Sequence, residues 1–207
     1  EDVVVVVPDE IDLEILRETD EWIALNKPSG LASQPGRDRM RPSAVELLGL
    51  RLKQRGVHHG LFVVHRLDAG TSGVLIYART PPMAANLSRA FAGREMKKRY
   101  VVVVKGELPQ ILDLAKPIER IGTASFAVSS GGKESRTIVR CLQSTGGFSL
   151  GSVEIESGRT HQIRVHLAEA GFPVLCDVKY GHSGSERLLL HSLSLSHALI
   201  GKLEAPI

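Results

Sequence analysis

Apolar and polar positions along this 207-residue chain change their period several times, and each change marks an element. Trp22-Ile23-Ala24-Leu25 is a short apolar run that predicts a first core strand. An acidic segment, 8–20, precedes it and carries Ile11, Leu13 and Leu16 as its apolar positions. Residues 27–42, rich in Pro, Gly and Arg, predict a loop. Pro42-Ser43 then opens a helix with Ala44, Val45, Leu47 and Leu48 on its apolar side. Leu61-Phe62-Val63-Val64 and Val74-Leu75-Ile76-Tyr77 predict two buried strands. A second helix is predicted from Met83 to Ala92, stopped by Gly93. Tyr100 to Val104 is β-branched and predicts another buried strand. Further strands are predicted over 135–142, 148–156 and 188–196, the last alternating Leu193 and Leu195 with Ser192, Ser194 and Ser196. His161 to Ala170 predicts a helix closed by Gly171, with Ile163, Leu167 and Ala170 as its buried stripe. His161 and Arg164 then share a neighbouring face, and Arg164 sits at the edge of the core, within reach of a buried anion.

Strands and helices mix here without a regular βαβ alternation. The predicted class is therefore α+β: a mixed, largely antiparallel sheet with flanking helices. No internal repeat, low-complexity tract or long linker interrupts residues 1–207, which predicts a single domain. No apolar run approaches the roughly 18 residues that span a bilayer. Val3 to Val7 is short for a signal-peptide core and follows two acids, and the missing initial Met predicts a trimmed N-terminus. Cys141 and Cys176 stand in no metal-like or redox-like spacing, so a reducing cytoplasm is the predicted compartment.

Charge changes the picture more. The net +3 conceals nine acids and one Arg in residues 1–21, and hence 25 basic against 14 acidic residues in the remainder. Residues 37–66 hold Arg37, Arg39, Arg41, Arg51, Lys53, Arg55 and Arg66 against Asp38 and Glu46. Residues 89–105 hold Arg89, Arg94, Lys97, Lys98, Arg99 and Lys105 against Glu95. Such clusters suit a polyanion, whose phosphates supply much of the binding energy.

Between those clusters lies His65-Arg66-Leu67-Asp68-Ala69-Gly70-Thr71-Ser72-Gly73, one carboxylate beside a cation and before a Gly-rich turn. An unpaired Asp between two apolar strands is costly, so Asp68 is either a loop cap paired with Arg66 or a reactive group. Gly70 removes side-chain bulk, and Gly73 can take backbone angles closed to other residues.

These residues, with four further segments in order, resemble the RluA-type pseudouridine synthases. The segments are Asn26-Lys27-Pro28-Ser29-Gly30-Leu31, Lys98-Arg99-Tyr100, Gly158-Arg159-Thr160-His161-Gln162-Ile163-Arg164-Val165-His166, and Leu188-Leu189-Leu190-His191. The resemblance covers roughly residues 21 to 207 and implies isomerisation of uridine to pseudouridine in structured ribosomal or transfer RNA. It implies no cofactor, no metal and a base flipped from its stack. By motif position, Asp68 acts at the sugar, Arg164 pairs with it and holds it ionised, and Tyr100 packs on the uracil and assists removal of the C5 proton. Arg66 fills the space the flipped base leaves. His65, Lys27, Thr71, Arg159 and His161 are implied contacts to RNA or to the reactive loop. A monomer without a membrane partner is expected.

Two departures stand out. Cys176-Asp177-Val178-Lys179-Tyr180-Gly181 has Cys where the family commonly has Gly, and Ser196-His197-Ala198 stands where His-Pro is frequent. A separate N-terminal RNA-binding domain is not expected from residues 1–21, which are few and acidic. Three rival readings have their own marks. A non-catalytic RNA binder would lack Asp68, Tyr100 or Arg164. A metal hydrolase would need a ligand spacing that His58, His59, His65, His161 and His166 do not form. An N-glycosidase would release uracil.

Overall fold

The computed structural model describes residues 12–36, 41–57, 60–123, 125–181 and 187–207. In chain order its elements begin with β1 (Glu14–Glu18), β2 (Trp22–Lys27), α1 (Ala44–Gln54), β3 (Phe62–Val63), β4 (Ser72–Ala78) and α2 (Pro81–Ala92). Then follow β5 (Lys97–Lys105), β6 (Ile111–Ala115), β7 (Ile118–Arg120), β8 (Phe126–Val128), β9 (Arg136–Thr145) and β10 (Phe148–Ile155). The chain ends with α3 (Gln162–Glu169), β11 (Leu190–His197) and β12 (Gly201–Glu204). The class is α+β, and each strand pairing described below is antiparallel. No helix among the described residues is long and apolar enough to cross a membrane.

The chain divides into two compact units, one running to Met96 and resuming over His197–Ile207, the other Lys97–Ser196. In the first unit β2 pairs β1 and β4, and β3 also pairs β4. Every residue of β4 is buried, as its unbroken apolar run requires. Ser43 caps α1 in a capping box with Glu46, and the helix buries Ala44, Leu47, Leu48 and Leu52. Val45, predicted on that face, is half-buried, and Leu52 takes its place further along the helix. Thr80 caps α2, which starts two residues before the predicted Met83 because prolines fit a helix's first turn. At its other end Gly93 keeps a right-handed φ of -73°, and Arg94 takes the left-handed one, 62°.

The predicted buried strand 61–64 shrinks to the two residues of β3, both exposed. An apolar run reports a tendency to be buried, and here pairing with β4 and packing near α2 leave Phe62 and Val63 at 36% and 39% exposure.

In the second unit the strand order is β11-β5-β10-β9-β6, with β7 and β8 as a separate hairpin. β5 alternates, burying Lys98, Tyr100, Val102 and Val104. Gly146 and Gly147, both at positive φ, close the β9–β10 hairpin, a two-residue turn that matches strand twist. The predicted alternation of β11 fails at one point. A register shift between Ser192 and Ser194 leaves Leu193 half-buried while both serines are buried beside Leu195. One extra residue flips the face of all that follow it.

Candidate active site

The Asp68 loop is shaped by buried polar contacts of the first unit. Ser33, 3% exposed, donates its hydroxyl to the Leu67 carbonyl at 2.8 Å and accepts the Leu67 N–H at 3.0 Å. One hydroxyl thus satisfies both backbone groups of the residue before Asp68. The Tyr77 hydroxyl donates to the Ser33 carbonyl at 2.5 Å, and burial pushes that phenol well above its usual range, so it stays a donor. Lys27 is fully buried, and its ammonium donates to the carbonyls of Pro28, Leu31 and Ala69 at 2.8, 2.7 and 3.1 Å. Burial pushes Lys27 down to about 7, opposed by the charge of Asp68. Ser29 donates to the Gly70 carbonyl, and Gly30 to that of Ala69, so the 26–33 loop grips both sides of Asp68. The Thr71 N–H closes a turn on the Asp68 carbonyl at 3.0 Å, and Gly73 follows at φ 105°.

His65 accepts the Ile76 N–H on Nε2 at 3.0 Å and stacks on Phe91 with ring centroids 4.4 Å apart. An accepting Nε2 leaves the ring proton of the neutral form on Nδ1. These contacts tie His65 to β4 and α2. Lys27, expected as a contact to RNA or to the reactive loop, has its ammonium on three loop carbonyls, and Thr71 is 3% exposed inside the turn. Arg66 and Asp68 remain accessible, the former exposed and the latter half-buried.

In the second unit Tyr100 lies in β5 at 8% exposure, opposite Val153 and Ser192. α3 departs from its predicted form. It is buried on all sides from Gln162 to Leu167, so Arg164 is a core residue rather than an edge one. His161 stands before the helix in a left-handed conformation, φ 58°, and its Nδ1 meets the Tyr180 hydroxyl at 2.7 Å. Arg164 donates Nε–H and Nη2–H to the two carboxylate oxygens of Asp177, at 2.7 and 2.8 Å. Its guanidinium also lies over the Tyr180 ring, 5.1 Å from the centroid. Burial would push Asp177 up. The bonds and charge of Arg164, with the N–H groups of Lys179 and Tyr180, outweigh it and hold the carboxyl below the usual range. Arg159 is half-buried, its side chain on the Glu134 carbonyl.

Sequence reasoning missed Ser33 altogether and met Asp177 only as part of a loop departure. A small polar residue in a Pro/Gly loop carries no periodic signal. The departure itself has a visible consequence. Cys176 adopts φ 62°, a left-handed conformation that costs a residue with a Cβ about 1–2 kcal/mol. Replacing it should relieve more strain than glycine adds in chain entropy. We expect Cys176→Gly to raise stability by about 0.5–1 kcal/mol in urea titration. A lowered midpoint would show that the thiol's packing outweighs the strain.

The basic clusters are partly spent internally. Arg51 bonds the Leu13 carbonyl and approaches Asp12, Arg55 pairs with Glu18, and Lys98 is buried on the Glu156 carbonyl. Arg41, Lys53, Arg66, Arg89 and Arg94 are exposed in the first unit, while Arg37 and Arg39 lie outside the described residues. Of the histidines weighed as metal ligands, His166 is bonded to Thr137 through Nδ1 and to the Lys116 carbonyl through Nε2. His161 is turned to Tyr180 instead, and His58 and His59 lie outside the described residues.

The fold is α+β; its first unit holds a clamped, accessible carboxylate and its second a buried arginine fork. The family model described as RNA pseudouridylate synthase matches residues 21–169, and the chain belongs to that family. An uncharacterized RNA pseudouridine synthase of Mycobacterium bovis is 36% identical over 204 residues, covering 91% of this chain and 66% of the relative. The ribosomal large subunit pseudouridine synthase D of Nitrosomonas europaea is 35% identical over 178 residues, covering 85% of this chain and 52% of the relative. The chain thus spans between half and two thirds of the length of these relatives. The solved structure of human RNA pseudouridylate synthase domain containing 4 shares the fold, with a TM-score of 0.79 and 23% identity. That match covers 94% of this chain and 88% of the human one.

Proposed function

We propose that this chain converts uridine to pseudouridine within RNA. The observation that carries the reading is the Asp68 loop. A carboxylate stays accessible while Ser33, Lys27, Ser29 and Gly30 hold the backbone around it on buried hydrogen bonds. A polar framework of this kind suits a group that must keep its position while a substrate changes. Family membership supplies the reaction: the N1–C1′ bond breaks, the base turns, and a C5–C1′ bond forms. The C5 proton leaves and N1 gains one, so composition is unchanged. Uracil departs as an anion delocalised over its carbonyls and needs little help from an acid. One carboxylate therefore suffices where glycoside hydrolysis commonly uses two. Asp68 acts at the electron-poor sugar, as nucleophile at C1′ or as base in an elimination at C2′. By motif position Arg164 is its cation and Tyr100 packs on the uracil. Arg66 fills the gap left by the flipped base.

The substrate class we propose is ribosomal RNA of the large subunit, supported by the similarity to the Nitrosomonas europaea relative, a ribosomal large subunit pseudouridine synthase by name. Unmodified large-subunit ribosomal RNA and transfer RNA transcripts, incubated with the purified chain, test it. Pseudouridine is read as carbodiimide-dependent stops in reverse transcription. Discrete new stops in the ribosomal transcript are expected. Stops confined to transfer RNA would move the substrate class, free uracil would make the chain a glycosidase, and an unchanged map on both would overturn the reading.

A further inference from the structure

We infer that Asp177 is a positioning residue for Arg164, holding its guanidinium in the orientation from which it serves the reaction. The inference rests on the role proposed for Arg164 and goes beyond it, because that role leaves open what directs the side chain. Asp177 is 1% exposed. Its Oδ2 accepts the Arg164 Nε–H at 2.7 Å, and its Oδ1 accepts an Nη2–H at 2.8 Å. The same Oδ1 accepts the backbone N–H groups of Lys179 and Tyr180 at 3.0 and 3.1 Å, which stops the carboxylate from turning. On one face of the guanidinium lies the Tyr180 ring, whose hydroxyl is tied in turn to His161. Two parallel bonds and a stacked ring define both the plane of a guanidinium and its direction within that plane. Asp177 takes the Nε edge of the fork, not Nη1, so the direction of Nη1 follows from the position of Asp177.

Asn at 177 keeps the volume and one oxygen but sets an NH2 group against an N–H of Arg164. The guanidinium must turn, and a misplacement near 1 Å can cost about 100-fold in rate. The test uses a ribosomal RNA transcript on which the wild-type chain forms pseudouridine. Single-turnover rate, normalised to folded protein by circular dichroism, and RNA Kd are measured for Asp177→Asn, Asp177→Glu, Arg164→Met and the double variant Asp177→Asn with Arg164→Met. Asp177→Asn should be slower by about 100-fold with Kd within about threefold. Asp177→Glu keeps the charge and the fork but displaces it by a methylene, and should also be slow although folded. In the Arg164→Met background, the Asn substitution should change the rate by less than about threefold, since Asp177 then has nothing to direct. Equal losses in both backgrounds, or a full rate in Asp177→Asn or Asp177→Glu, would overturn the inference. A full rate in Arg164→Met would instead overturn the role of Arg164 itself, and a silent wild type the function.

Discussion

Asp68→Asn should bind RNA as wild type does and convert none of it. The substitution keeps the shape of the side chain and leaves the backbone turn to Thr71 in place. The buried clamp through Ser33 and Ser29 touches backbone, not the carboxylate, so the loop keeps its path. An amide is neither a nucleophile toward C1′ nor a base toward C2′. Loss of the single reacting group in comparable systems costs well over a thousandfold, and a drop of at least about 10³ is expected in single turnover. Affinity should hold or tighten slightly, because a negative charge has been removed from the surface proposed to meet phosphates. Filter binding and turnover on the same transcript decide it. A rate within tenfold of wild type would remove Asp68 from the chemistry and return it to a loop-capping role.

Ser33→Ala should cost stability on a scale rare for the loss of one oxygen atom. The hydroxyl is both donor and acceptor to Leu67, in a site that water does not reach. Alanine fits the space but leaves a buried N–H and a buried C=O unpaired. Each such orphan costs about 1–3 kcal/mol, so a loss of about 2–4 kcal/mol is expected in urea denaturation. Leu67 is itself buried and adjoins Asp68, so turnover should fall by more than the folded fraction does. The neighbouring carbonyl that receives the Tyr77 hydroxyl is untouched, which confines the effect to one strand of contacts. A loss below about 0.5 kcal/mol, typical of exposed sites, would mean that the 30–36 loop rearranges freely and does not set the Asp68 loop.

These two residues mark how differently the site was legible. Asp68 stood out because its chemistry is local: a carboxylate, a neighbouring cation and flexible backbone occur within nine residues. Ser33 is 34 residues from Leu67, and nothing in a serine among Pro, Gly and Arg announces a distant backbone partner. Lys27 was legible only in part. From sequence it is a contact to phosphate or to the reactive loop, and only the fold shows three carbonyls converging on its ammonium. The carbonyls come from Pro28 and Leu31 nearby and from Ala69, 42 positions away. Arg164 was placed at the edge of the core because a stripe of three apolar residues predicts one buried face. Yet α3 is enclosed on every side, and a periodicity argument cannot see a polar face that is buried by its own partners.

What the chain's sequence determined by itself is the set of elements whose period is strong and whose ends are capped. β2, α1, α2, β5, β9 and β10 are each found close to where pattern and caps predict them, because burial of one face and local capping are short-range effects. Tertiary structure alone decided where an apolar run stays exposed, as in β3, and where a bulge reverses a face, as at Leu193. It also decided which charges are turned inward. Asp177 meets Arg164 and Lys27 meets the Ala69 carbonyl because folding brings distant backbone and side chains together, and a buried polar group must take whatever partner arrives there.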